Sequence, residues 1–292
     1  LASGAWEQAL AGVAAAVAQE KGVQAPDDTV QVGDSALAIA RSLLGGERKA
    51  ILLGNAAAHH ASASRLLALA QWIGEHTGAT VGYLTEAANT VGAQYAGAVP
   101  VNGGHNAGQM LAGSLKAAIL LNTEPAFDSA GGDAACQALA NTDMVVTLSP
   151  FKANMAFSDV LLPIAPFTET SGSFVNAEGR LQSFHAVVRP LGETRPAWKV
   201  LRVLANLLNV PGFDFETSQD VLARATNTPA GGIAEVSSVQ LSNAQALLPQ
   251  AASPATGEPA VASIYQLDGI VRRATSLQLT ADARRTQEGV AA

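Results

Sequence analysis

The chain has 292 residues, is rich in Ala and Gly, and is 48% hydrophobic but only 14% charged and 5% aromatic. That length allows one large or two modest α/β units with a proper core, and the composition excludes a disordered chain. Acidic residues outnumber basic ones by 24 to 17, for a net charge of −7; with the basic residues scattered rather than clustered, nucleic-acid binding is not expected.

The first periodic segment is Trp6, Leu10, Val13 and Val17, whose spacings of four, three and four mark one stripe of an amphipathic helix ending near Gly22. Asp34 and Ser35 are placed to cap a second helix over residues 36–44, which Gly45 and Gly46 close. Four short continuous apolar runs then follow, at residues 50–53, 117–121, 144–148 and 160–164. Runs without polar alternation are expected of strands covered on both faces, as in parallel sheets. Helical segments are predicted between them, over residues 62–73 and 132–140, and a further strand over 80–84. Alternating strand and helix implies right-handed crossovers and an α/β fold with an open, doubly wound, mostly parallel sheet. Residues 89–113, rich in Gly and Asn, read as a long surface loop.

Beyond Pro166 the chain turns to short strands around 173–175 and 181–188, then to helices over 197–208, with Pro196 at its start, and 218–225. Residues 227–262 are Ala, Pro, Ser, Gln and Gly with few charges, which predicts a linker or extended arm. The apolar IYQLDGIVRRATSLQ that follows is expected to dock as a terminal strand and turn. The domain reading is an α/β domain over residues 1–226 and a Pro/Ala-rich linker and tail over 227–292. Apolar runs such as AILLG and AAILL are too short to span a bilayer, and the N-terminus lacks the order of a signal peptide. A soluble chain without direct membrane insertion is expected. It begins at Leu1 without a methionine, as a fragment or processed product would.

Candidate sites follow from the sheet. In open α/β sheets, ligands bind outside the carboxyl ends of the strands. The loops there are GNAAAHH (54–60), NTEPAFD (122–128) and SPFKANM (149–155). A polar hairpin, FTETSGSFVNAEGRLQ (167–182), follows the last apolar run; Gly172 and Gly179 would allow two reversals that aim Asn176, Glu178 and Arg180 over the sheet. Such a hairpin could lid a cleft, or could be a rigid cover whose polar groups satisfy one another. The candidates for a vestigial cleft are Gly54, Asn55, Asn122, Ser149, Asn176 and Arg180. No catalytic or metal-ligating residue is assigned. Adjacent His59 and His60 point apart on a helix and fit packing better than a metal. GGHNAG (103–108) lacks the Lys-Ser/Thr of a P-loop and is treated as a turn. Glu124, Asp128, Asp159, Glu169 and Glu178 are expected to accept backbone amides in turns. Cys136 is the single cysteine, so no intrachain disulfide, four-thiolate zinc or cysteine-ligated iron–sulfur cluster can be built from this chain alone; among alanines, it reads as a small buried hydrophobe.

The order of these motifs is recognisable. SDVLLPIAPFTETSGSFVNAEGRLQ resembles the strand, acidic residue, glycine turn and N-x-E-G-R-x-Q hairpin of the molybdopterin oxidoreductase superfamily. EPAFD, LSPF, PLGETRPAWKVLRVLANLL and the terminal IYQLDGIVRRATSLQ are similar to the large iron–sulfur subunits of NADH–quinone oxidoreductase, the NADH dehydrogenase and translocase known as respiratory complex I. The similar text covers most of residues 6–225 and the tail. The resemblance implies a non-catalytic scaffold region, with iron–sulfur clusters in a missing N-terminal part and no cofactor in this chain. It implies other complex I subunits as partners, especially in the hydrophilic arm, on the cytoplasmic side of the bacterial inner membrane. In active superfamily members this domain helps hold a guanine dinucleotide form of the molybdenum cofactor; Ser149 stands where such members often have an acidic residue. The alternatives are a fragment of a true molybdenum–pterin oxidoreductase, such as a formate dehydrogenase, or a subunit-docking module.

Overall fold

The structure, a computed structural model, describes residues 1–113, 115–229, 235–236 and 263–287; most of the linker expected at 227–262 therefore lies outside the described residues. The described residues fall into two compact units, one running from Leu1 to Val91 and the other from Gly92 onward.

The first unit begins with α1 (Trp6–Lys21) and α2 (Asp34–Gly45). Gly22, at φ 66°, terminates α1 in the left-handed conformation that glycine tolerates without a Cβ penalty. The expected cap at α2 differs: Gly33 is the cap residue and Asp34 the first helical residue, where its carboxylate faces the positive end of the helix dipole. Strand β1 (Ala50–Leu53), the single turn α3 (Asn55–Ala58), α4 (Ala63–Thr77) and β2 (Thr80–Tyr83) complete a βαβ crossover. Its strands pair in parallel from Ala50 opposite Thr80 to Leu53 opposite Tyr83. Val13, Ala14, Ala16 and Val17 of α1, Ala40 of α2, and Leu69 and Ile73 of α4 form the core cluster. Small residues let the helices approach closely. A Cβ on Gly12 would lie 3.7 Å from that of Ala36, whereas one on Gly74 would lie 2.5 Å from Val81 Cγ2 and 2.9 Å from the Ala79 carbonyl oxygen.

At the division stands α5 (Thr90–Tyr95). The second unit holds α6 (Ala107–Ala112), β3 (Ala117–Leu121), α7 (Pro125–Asp128), α8 (Gly132–Ala140), β4 (Met144–Ser149) and β5 (Val160–Pro163). Next come β6 (Gly172–Val175), β7 (Leu181–Phe184), α9 (Ala197–Leu207) and α10 (Ser218–Ala225). Strands β3, β4 and β5 form a parallel sheet in that order, and β6 and β7 an antiparallel hairpin. The C-terminal segment contributes α11 (Ile264–Leu267), α12 (Thr275–Gln278) and α13 (Ala281–Gln287).

The mixed α/β architecture with mostly parallel pairing is the one the apolar runs predict. Three details differ. The strands form three small sheets, and coverage on both faces is not general: Leu52 of β1 is 57% exposed and Ile119 of β3 is 54% exposed, while the central β4 buries Val145, Thr147, Leu148 and Ser149. A middle strand gains covered faces that edge strands lack. The predicted loop at 89–113 contains α5 and α6; Asn106 caps α6 in a reciprocal box, accepting from Gln109 N at 2.9 Å while Gln109 Oε1 accepts from Asn106 N at 3.0 Å. The C-terminal segment is helical rather than a strand and turn, because Ser263 accepts from Tyr265 N at 3.2 Å and Asp268 accepts from Ile270 N and Val271 N at 2.9 and 2.8 Å.

Candidate functional site

Of the six cleft candidates, Gly54 and Asn55 lie in the first unit and Asn122, Ser149, Asn176 and Arg180 in the second. At the end of β1, the Gly54 carbonyl accepts from the amides of Ala57 and Ala58, both at 3.1 Å, and the Asn55 carbonyl from His59 N at 2.9 Å. The two histidines diverge as expected. His59 Nε2 lies 2.8 Å from Glu86 Oε2, whereas buried His60 stacks at 5.9 Å on Trp6 and accepts through Nδ1 from Ser62 N at 3.0 Å.

In the second unit the loops after β3 and β4 are tied to each other. Asn122 adopts φ 49°, tolerable for asparagine, and its amide donates to the Leu148 carbonyl at 2.8 Å, extending the β3–β4 ladder. Ser149 is buried, and its hydroxyl accepts from Phe151 N at 3.1 Å. Asn154, at φ 60°, donates from Nδ2 to the Thr123 carbonyl at 2.9 Å and reaches Thr147 Oγ1 at 3.4 Å. Strand-end polar groups are thus consumed in holding the rim itself.

The polar groups at the hairpin turn satisfy one another. Asn176 Oδ1 accepts from Glu178 N at 3.0 Å and Arg180 N at 2.9 Å, and Gly179 sits at φ 82°. Arg180 is exposed. No hydrogen bond or ion pair among the described residues joins Asn176 or Arg180 to the strand-end loops. Gly172 is extended, opposite Phe184 in the ladder, and not a reversal; its lack of a side chain makes room for the Phe184 ring, which a Cβ would meet at 2.7 Å.

Of the turn carboxylates, Asp159 and Glu169 do accept backbone amides, but not within a turn: Asp159 accepts from Val145 N at 2.7 Å, 14 residues away, and Glu169 from Leu191 N at 2.9 Å, 22 residues away. Glu124 and Asp128 do more. Asp128 Oδ2 accepts from Glu124 N at 2.7 Å, and both carboxylates receive arginines from the C-terminal segment. Arg272 Nη1 lies 3.1 Å from Asp128 Oδ1, and Arg273 Nη2 lies 2.8 Å from Glu124 Oε1. The guanidiniums cover aromatic faces, Arg272 at 4.6 Å from the Phe127 centroid and Arg273 at 4.0 Å from that of Phe151. Arg272 also donates to the carbonyls of Gln266 and Leu267, while Gly269 lets the segment lie against Phe151, whose ring a Cβ would touch at 3.5 Å. This knot carries two basic residues to the carboxyl ends of β3 and β4. No local pattern predicts it, since 144 residues separate Asp128 from Arg272.

A cavity of about 880 Å³ lies beside β3, lined by Met110, Leu111, Leu115 and Ile119 together with Asp128 and His105. A pterin–guanine dinucleotide, which the family resemblance implies, carries a pyrophosphate that needs cations or free amides. The arginines at this rim are engaged by carboxylates, Lys152 in the β4 loop is exposed, and His105 is the one cavity-lining side chain able to carry positive charge. As arranged, the two arginines at these strand ends are not free to hold that pyrophosphate. Among the described residues, no three His, Cys, Asp or Glu side chains converge as a metal would require, and no helix is long and apolar enough to cross a membrane. Burial pushes the Cys136 thiol up, as does the negative charge of Asp133, which leaves little thiolate for chemistry.

Comparison with known proteins agrees with this architecture. The model of the molybdopterin oxidoreductase family matches residues 25–207, more than half of the chain. A Staphylococcus aureus (strain bovine RF122 / ET3-1) protein named "Putative formate dehydrogenase SAB2186c" is 38% identical over 100 residues, covering 32% of this chain and 10% of that protein. The Bacillus subtilis (strain 168) protein named "Probable oxidoreductase YjgC" is 32% identical over 114 residues, covering 39% of this chain and 12% of its own length. The chain thus spans about a tenth of the length of these curated relatives. Parallel strands in the predicted order, a glycine-turned hairpin behind them and a family match across both units lead to one conclusion: the chain belongs to the molybdopterin oxidoreductase family.

Proposed function

We propose that this chain is a non-catalytic scaffold region of a redox enzyme, of the type found in the large iron–sulfur subunit of NADH–quinone oxidoreductase. One observation carries the reading: the rim at the carboxyl ends of β3 and β4 is filled by the chain's own arginines, paired with Glu124 and Asp128. In such an enzyme, electrons pass from NADH through flavin and iron–sulfur clusters to quinone, and those centres belong to other parts of the assembly. The partners are then the neighbouring subunits of the hydrophilic arm, on the cytoplasmic face of the inner membrane. On this reading Asn122 and Ser149, in the second unit, serve the backbone of that rim rather than a cofactor.

A second reading, a segment of a molybdenum–pterin enzyme acting on formate, is favoured by the formate dehydrogenase name of the Staphylococcus aureus relative. Metal analysis of the full-length protein separates the two. The scaffold reading expects iron without molybdenum or tungsten, and no measurable calorimetric binding of guanosine diphosphate to this chain. Stoichiometric molybdenum, or guanosine diphosphate affinity in the micromolar range or tighter, would overturn it.

A further inference from the structure

The face of α9 in the second unit carries a feature that the redox reading leaves unused. Val203 is 55% exposed and Leu207 75% exposed, one helical turn apart, and Leu208 directly after the helix is 65% exposed. They continue an open groove of about 560 Å³ floored by Leu162, Val200 and Leu204. Three cations stand along it, Arg195, Lys199 and Arg202, against one carboxylate, Glu216. In a chain with a net charge of −7, this local positive excess is not a by-product of a basic composition.

The cations are weakly committed. Arg195 bonds backbone carbonyls, of Thr194 at 2.7 Å and Gly192 at 3.5 Å, and its carboxylate neighbour Glu193 is 94% exposed at 3.7 Å. Lys199 rests over the Trp198 ring at 5.3 Å. The Nε of Arg202 is buried without a hydrogen-bond partner among the described residues, and a buried donor left unmade is costly. An occupant bringing acceptors and aliphatic surface together would meet both the cationic side chains and the exposed Val203 and Leu207.

We propose that the α9 groove docks an acidic, aliphatic-bearing helix of a partner protein, its carboxylates on Arg195, Lys199 and Arg202 and its leucines against Val203 and Leu207. A small hydrated anion gains nothing from the aliphatic ridge. Val203 and Leu207 lie one helical turn apart beside the groove, a spacing that the anchors of a helix laid along it can match. The inference holds for either redox reading, because it concerns α9 and not the strand ends.

The test uses the full chain and a fluorescent amphipathic peptide of about 18 residues with Glu and Leu at i, i+3, i+4 spacing. A counterpart with Lys for Glu, and vesicles with and without phosphatidylglycerol, complete the set. The Glu–Leu peptide is expected to bind and to weaken as salt rises. Arg202→Gln and Leu207→Ser are each expected to weaken it about five- to tenfold or more, with unchanged circular dichroism. Leu207 is mostly exposed, so its replacement leaves the fold in place. Equal binding of the Lys peptide, indifference to both substitutions, or Arg202-dependent binding to anionic vesicles alone would each overturn the proposal.

Discussion

Replacing Arg272 by Met tests whether the C-terminal segment is held to the strand ends by charge. Methionine keeps much of the aliphatic stem while removing the guanidinium. Arg272 is 10% exposed and Asp128 22% exposed, so the pair stands between surface pairs, worth about 0–1 kcal/mol, and buried pairs, whose disruption costs about 3–5 kcal/mol. An intermediate of about 2 kcal/mol, with about 0.5–1 kcal/mol for the stacking on Phe127, gives about 2–3 kcal/mol. At about 1.4 kcal/mol per tenfold, opening of the segment should become about 30- to 140-fold more frequent. Amide hydrogen exchange of residues 264–278 in the full chain reads this directly, because those helical turns lose protection when the segment lifts away. Arg285→Met is the control: its carboxylate neighbour, Asp282, is 3.8 Å away on the exposed side of α13, and exchange there should stay within about 0.5 kcal/mol. Arg272→Met exchange within about twofold of the parent would refute the charge-held segment.

Further substitutions read the packing within each unit. Gly12→Ala should stabilise by about 0.5–1 kcal/mol, since the helix gains propensity and the new methyl meets Ala36 at an ordinary 3.7 Å. Gly74→Ala should instead destabilise by about 1–2 kcal/mol, because overpacking against Val81 and the Ala79 carbonyl exceeds the same propensity gain; urea melts that shift the two variants in one direction would contradict it. In the hairpin, Gly179→Val forces a β-branched residue to φ 82° and should cost about 1–3 kcal/mol. An unchanged melting temperature there would dismiss the tight-turn account.

Much of this fold is legible because its signals are local. The apolar runs locate β1, β3, β4 and β5 within a residue or two, and Gly22 ends α1 where the periodicity suggests, whereas α4 runs past the predicted end at Ile73 to Thr77 before Gly78 closes it. How strands group into sheets is a long-range matter that runs of Val and Leu do not encode, so a continuous covered sheet is expected where small ones with exposed edge residues occur. The C-terminal turns escape for a different reason: Ile, Tyr and Val favour strands, but the side chains of Ser263 and Asp268 divert the backbone into caps. Within the candidate site, residue type foretells that Asp159 and Glu169 accept backbone amides but not which ones, 14 and 22 residues away, and Asn176, expected to aim over the sheet, instead closes its own turn. The arginine knot does not follow from residue type, because Glu124 meets Arg273 only through tertiary packing across 149 positions.

That separation also sets an order of events at the ribosome. Asp128 leaves the exit tunnel 144 residues ahead of Arg272, which at about 5–20 residues per second is a delay on the order of ten seconds. Throughout that interval the growing polypeptide presents Glu124 and Asp128 without their counter-ions, so a nascent chain is more acidic at this place than the finished one.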